Sequence, residues 1–317
     1  MQVRDVVGNI SMIATLIRSI RDLCNHPWKR ELLYHDKVKW NKLWTSLDAI
    51  DDAQQAIDFY KKLPEFNSYN GGFLFVYGLM QALNVQQDAS NNLLMALFDK
   101  ETDFETEYPE LFKIREYRNN STGHPTKRGN DKSFHFIGKP TLKKSGFTLA
   151  SYFPKAEEKS TFEDIDVMKC IETQNVLISK ILKETMDKLK SDFKKHKSKF
   201  KGKHLADLIH DDFHYEFSKL YGNIGRDYPP VKMNYEIIKE AYEELKNGII
   251  ERYFSLKALS GVYDTTQRLD YIFHRVKRDL IDYKIHDDFE LYIFVDVLKS
   301  TFKEFQEMIS EIDKDFE

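Results

Sequence analysis

The chain has 317 residues, room for one large or two medium domains. Hydrophobic residues at 41% and charged residues at 31% exclude a disordered chain, and 13 Gly with 8 Pro exclude a collagen-like or low-complexity one. The net charge of -3 provides no global attraction to nucleic acid, so any such binding has to use a local patch.

Residues 3–23 have apolar side chains at Val6, Val7, Ile10, Ile13, Ala14, Ile17 and Ile20, which is helical spacing with one broad apolar face. His26-Pro27 ends that helix, because the residue before a proline is steered out of the helical region. A second amphipathic segment, 43–63, stops at Pro64. The third, from Gly71, is apolar almost all the way round, the pattern of a central helix covered by others. Gly71, Gly72 and Gly78 allow close backbone approach along it. Gln86, Gln87 and Asp88 form a polar patch on a helix otherwise expected to be dry; these groups need partners, inside the core or at a cleft.

A fourth helix is predicted with Thr106 as N-cap and Pro109 in its first turn, followed by Leu111, Phe112, Ile114, Arg115 and Tyr117. It runs into Arg118-Asn119-Asn120-Ser121-Thr122-Gly123-His124-Pro125, a polar run that reads as helix-breaking. Residues 133–137 and 146–153 read as two strands of a β-hairpin. From Phe162 the pattern is helical again, with one long helix over 162–200 that is heavily basic over 188–203. A break falls at 227–230. The last segment has Leu291, Phe294, Val295, Leu298, Phe302, Phe305, Ile309 and Ile312 as a packing seam. The expected fold is all-α: a helical bundle with a small inserted hairpin over 1–155, then a helical region over 156–317, with a soft boundary in the polar stretch between them. No internal repeat is present.

Cys24 and Cys170 form no CxxC or Cys/His spacing, so neither a zinc site nor a disulfide framework is implied and a reducing, cytoplasmic setting is expected. No stretch approaches the roughly 20 apolar residues of a membrane span. The N-terminus carries acids and lacks a small-residue cleavage site, unlike a signal peptide.

The run from Ile114 to Pro125 resembles the signature of HEPN domains: an Arg, a polar neighbour, and a His a few positions on. Here five residues separate Arg118 from His124, and Asn119 is the polar neighbour. The apolar helix upstream, with Tyr77-Gly78-Leu79-Met80-Gln81 and Gln86-Gln87-Asp88, also looks like many HEPN sequences. The similarity spans about residues 71–125; the C-terminal half matches nothing. The resemblance implies a four-helix bundle that 3–23 and 43–63 would complete. It also implies a homodimer in which two motifs face each other, and a ribonuclease using no metal or cofactor. Toxin or defence roles, with an antitoxin protein as partner, belong to the same expectation.

The chemistry of these residue types fits that implication. RNA is cut without a metal when its 2′-OH attacks the adjacent phosphate, which needs a base for the hydroxyl proton and an acid for the leaving 5′-oxygen. Histidine suits both tasks because the free imidazole titrates near neutrality. A guanidinium, always charged and forked, stabilises the negative charge gathering on the non-bridging oxygens. Arg118 and His124 are therefore the candidate catalytic pair, with Asn119 orienting the His or holding the phosphate. The plain reading of the same residues is a basic helix end followed by a C-cap and turn. A non-catalytic HEPN-like module that binds RNA or dimerises is the alternative function, and an interaction scaffold is a third.

Lys127, Arg128, Lys143 and Lys144 are candidate RNA-binding residues. With Lys132, Lys139, Phe134, His135, Phe136 and Phe147 they give the mix of cations and rings that a single-stranded RNA platform uses. A solvated hairpin with its aromatics packed inward is the preferred reading of the two. The basic run over 188–203 reads as a solvated helix face. His210 and His214 have metal-ligand spacing with Asp211 and Asp212 beside them, but no third ligand is marked. Phosphate-loop, dinucleotide and nucleophile-elbow glycine motifs are absent, and Gly222 to Gly225 reads as a turn.

Overall fold

In the computed structural model the described residues are 11–66, 68–126, 132–154, 160–209, 213–226, 230–282 and 289–317. Among the described residues helix accounts for 78%, in eleven α-helices and five short 3-10 or π segments, beside one small antiparallel sheet. No helix among the described residues is long and apolar enough to cross a membrane. The chain divides into two compact units. The first holds the described residues of Met1–Leu23 and Asp36–Leu189, and the second holds Cys24–His35 and Lys190–Glu317. The boundary expected at 155/156 lies in residues outside the described set.

Helix α1 (Met12–Asn25), in the first unit up to Leu23, ends before His26-Pro27, and α2 (Pro27–Tyr34), in the second unit, starts with that proline, whose missing N–H is no loss there. Asp36 caps α3 (Lys37–Lys62) by accepting from the Val38 and Lys39 amides, and Leu63-Pro64 stops it. Ser68 caps α4 (Tyr69–Phe98) through the Gly71 amide. Helices α3 and α4 pack along their length. Leu43, Leu47, Ile50 and Ile57 of α3 are fully buried, as are Val76, Met80, Leu83 and Leu93 of α4. The expectation that α4 is covered all round is corrected. Leu74, Tyr77, Gly78, Gln81 and Asp88 are exposed and fall on one face at helical spacing.

The fourth predicted helix is two. A short α5 (Phe104–Glu107) is capped by Asp103, not by Thr106, whose hydroxyl instead donates to Asp103. Helix α6 (Pro109–Arg118) follows, with Pro109 opening it. The inserted hairpin is a three-stranded sheet of order β1 (Phe134–Ile137), β2 (Gly146–Tyr152) and β3 (Ser160–Asp166), paired antiparallel throughout. The third strand takes the start of what was expected to be helix, and α7 (Val167–Ser198) begins after it.

The polar residues of α4 are tied up inside the bundle. Gln54 of α3 donates to Asp58 and accepts from Gln86 at 3.0 Å. Gln86 accepts from Gln174 of α7 at 2.9 Å, and Gln174 accepts from Gln87 at 2.8 Å. Gln87 in turn accepts from Arg115 at 3.3 Å. Side-chain amides thus run in one hydrogen-bonded chain through a core where each of the four glutamines is buried.

The second unit contains α2, the end of α7, and helices α8 (His214–Gly222), α9 (Pro230–Tyr253), α10 (Ser260–Val276) and α11 (Phe289–Phe316). The α11 seam packs as predicted, with Leu291, Val295, Leu298, Phe302, Phe305, Ile309 and Ile312 buried and Phe294 packed partly against the same core. Here Asp313 forms a buried ion pair with Arg252 at 3.3 Å and accepts the Leu205 and Ala206 amides at 2.7 and 3.0 Å. The Arg252 carbonyl bonds His196 at 2.7 Å, and His196 stacks on Trp28 with centroids 4.2 Å apart.

Candidate functional site

The motif begins where α6 leaves regular geometry. Residues Asn119–Gly123 form one π-helical turn, closed by the His124 amide donating to the Asn119 carbonyl at 2.8 Å. The run was expected to break the helix; it widens it first. Two hydroxyls brace the backbone leading into it. Ser121 donates to the Tyr117 carbonyl at 2.7 Å, and Thr122 donates to the Arg118 carbonyl at 3.0 Å. His124 then leaves helical dihedrals at φ -138 and ψ 51, and its ring is exposed, with no hydrogen bond among the described residues.

Arg118 is half-buried and held by two elements. Its Nε and Nη2 both donate to Gln81 Oε1, at 3.2 and 2.7 Å. Nη1 donates to Asn119 Oδ1 at 3.1 Å, and Asn119 is itself anchored to Glu116. A guanidinium has five N–H donors, so two remain for an incoming anion. The guanidinium lies directly over Gly123: a Cβ at that position would stand 2.8 Å from Nη1 and 3.3 Å from Cζ. Gly123 thus lets the cation rest against the backbone next to His124. One turn earlier, Arg115 donates to Asp88 at 2.6 Å. Two arginines three apart on α6 are answered by Gln81 and Asp88, seven apart on α4, which fixes the rotation of α6.

The sheet joins the motif through its outer edge. The His135 amide donates to the Pro125 carbonyl at 2.7 Å, so the loop after His124 covers the free edge of β1. On the far side, Glu163 of β3 accepts from Tyr117 at 2.7 Å and pairs with Lys113 at 3.2 Å. Burial, opposed by the Lys113 ammonium and reinforced by Glu163, raises the Tyr117 phenol above its ordinary value.

Of the predicted residues, Arg118 and Asn119 are bonded to one another ahead of this turn, and His124 follows it with an exposed ring and no side-chain contact to either among the described residues. Asn119 is turned to Arg118 and Glu116. Lys143 is exposed at the hairpin turn. The Lys144 ammonium donates to the Leu63 carbonyl, and its own carbonyl accepts from Tyr60 at 2.9 Å, which fastens the turn to the end of α3. Lys127 and Arg128 lie outside the described residues, as do His210, Asp211 and Asp212. Among the described residues no group of three or more His, Cys, Asp or Glu side chains is placed to hold a metal ion. A cleft of about 490 Å³ lined by Glu101, Asp103, Glu105 and Arg115 contains neither Arg118 nor His124, and its carboxylates suit a polyanion poorly. Sequence reasoning missed Gln81 as the group that aims Arg118; its spacing from Asp88 on an apolar helix was the available signal. No protein-family model, no curated protein and no solved structure matches the chain.

Proposed function

We propose that the protein is a metal-independent endoribonuclease of the HEPN type. The observation that supports this most is the pairing of an anchored guanidinium, with two free donors, and an exposed imidazole on the same widened turn. In this reading the 2′-oxygen attacks phosphorus, the bond to the 5′-oxygen breaks, and the products are a 2′,3′-cyclic phosphate and a 5′-hydroxyl. One imidazole takes the 2′-OH proton and another protonates the leaving oxygen. Because each chain supplies one His124, the reading requires a homodimer with the two motifs opposed. The exposed stripe Leu74, Tyr77 and Gly78 beside Gln81 is the surface we assign to the second copy. Arg118 donates to the non-bridging oxygens, where charge accumulates in the transition state. Gln81 and Asn119 are positioning residues for Arg118. The setting we assign is cytoplasmic, as a toxin or defence factor with an antitoxin partner.

The test is cleavage of labelled RNA in EDTA by the native chain, Arg118→Ala and His124→Ala. The expected result is cleavage ending in cyclic phosphate by the native chain alone. Equal cutting by all three, or none by any, overturns the proposal. The second reading, a non-catalytic RNA-binding or dimerisation module, is favoured by the three bonds that already occupy Arg118, which would serve equally as a staple between α4 and α6. RNA binding without cleavage by the native chain selects it.

A further inference from the structure

The sheet has two unlike faces. By register, His135, Ile137, Phe147, Leu149, Ser151 and Ile165 lie on one face, and all six are buried. His135 is there fixed between Ser133 and Ser151 at 2.9 and 2.7 Å. The other face presents Phe136, Tyr152 and Phe162, which are 49%, 44% and 67% exposed, one on each strand. The expectation that the hairpin rings pack inward holds for His135 and Phe147 and fails for Phe136. Leaving rings of this size in water costs burial that a packed hairpin would have gained.

Their arrangement is specific. Ala150 stands opposite both Phe136 and Phe162 across the sheet, so a small residue separates two large rings. Phe136 and Tyr152 are stacked with centroids 5.9 Å apart and planes 20° from parallel. The rings form a shallow platform with π faces available, and nucleic-acid bases stack on such surfaces without regard to sequence. The charges agree with a polyanion. Lys132, Lys139 and Lys143 are exposed around the sheet and make no ion pair among the described residues. Of the acids of β3, Glu163 lies on the opposite face and is paired with Lys113; Asp164 and Asp166 share the face of the rings and keep their charge, bonded to the Thr148 hydroxyl at 2.5 Å and the Lys169 amide at 2.9 Å, so the three lysines outnumber them. The platform is also continuous with the motif, because Pro125 covers the edge of β1, the strand that carries Phe136.

We infer that this aromatic face binds unpaired RNA and feeds it across the β1 edge to Arg118 and His124, so that the substrate class is single-stranded RNA. Bases in a duplex have no free π face to offer it. The inference takes RNA as ligand from the proposed cleavage reading, and its test keeps the two apart.

The test uses the full chain bearing His124→Ala and a fluorescein-labelled oligouridine of about a dozen nucleotides, read by anisotropy. A duplex RNA of the same length is the comparison. Substituting Phe136→Ala, Tyr152→Ala and Phe162→Ala together removes only exposed rings, and an unchanged thermal midpoint confirms folding. A second variant, Phe162→Trp, keeps a stacking surface. Expected are tighter binding of the single strand than of the duplex, a loss of roughly tenfold or more in the triple variant, and native affinity in Phe162→Trp. Equal affinity of triple variant and parent overturns the inference, as does preference for duplex. Sedimentation that shows the triple variant losing self-association with RNA affinity intact assigns the face to a protein contact and also overturns it. Failure of the native chain to cut RNA, with ring-dependent binding retained, removes the nuclease reading and leaves the platform standing.

Discussion

Replacing Gly123 by alanine separates activity from stability at this site. The added methyl would sit 2.8 Å from Arg118 Nη1. Non-bonded carbon contacts settle at about 3.5–4.0 Å, so the guanidinium has to retreat by roughly 1 Å. That retreat pulls against the bonds to Gln81 at 2.7 and 3.2 Å and to Asn119 at 3.1 Å. A displacement of about 1 Å at a positioned group lowers a rate on the order of 100-fold. The fold accommodates the change, because the obstructing atoms are the far end of a flexible side chain. Alanine in a helical turn gains about 0.5–1 kcal/mol over glycine, and loosening a partly exposed arginine costs about as much. Gly123→Ala is therefore expected to melt within about 1 kcal/mol of the native chain while cutting RNA some 100-fold more slowly. Single-turnover cleavage beside urea unfolding measures both. A variant as active as the native chain would refute the idea that Arg118 works from its seat over Gly123.

Gln174→Leu takes a donor from the Leu83 carbonyl and from Gln86 Oε1 and leaves Gln87 with the Leu111 carbonyl alone to accept its side-chain N–H groups, so urea unfolding should show a loss of about 2–4 kcal/mol. Asp313→Ala strands buried Arg252 and two amides, with an expected cost of about 3–5 kcal/mol in the same assay. Burial lowers the pKa of His26 and His196; Asp315 and the Arg252 carbonyl oppose this, while Lys197 and Lys199 add to it. A histidine held below its unfolded value destabilises the fold as pH falls below about 6.5, because the unfolded chain takes the proton first. Unfolding followed by tryptophan fluorescence, with Trp40 and Trp44 replaced by Phe so that Trp28 reports alone, should thus shift to lower urea between neutral and mildly acid pH, and a flat profile counts against it. Burial pushes the Cys24 thiol up to about 12 and Cys170 to about 11, so maleimide should label neither near pH 8 until denaturant is added.

Much of the fold was legible because its helices bury one face at regular spacing. The α11 seam and the start of α2 at Pro27 needed only periodicity and proline chemistry. Strand β3 was not legible for a physical reason. Of its seven residues only Ile165 is buried, so it carries no apolar alternation, and its place is set by pairing with β2. Arg118 and His124 stood out by residue type and spacing. The partner that aims Arg118 did not, because Gln81 reaches it only once α4 and α6 lie side by side. The π turn was hidden for a related reason: Ser121 and Thr122 read as breakers, yet their hydroxyls hold the backbone of the preceding turn.

The amide chain through the first unit has a consequence for inheritance of error. Each glutamine both gives and takes, and every link between helices passes through α4, so rotating α4 by a single position mismatches α3, α6 and α7 at once. The last link of that chain is Arg115, one turn from Arg118 on the same rod. A random screen for loss of the proposed cleavage should therefore collect lesions at Gln54, Gln86 and Gln174, deep beneath the surface that carries Arg118.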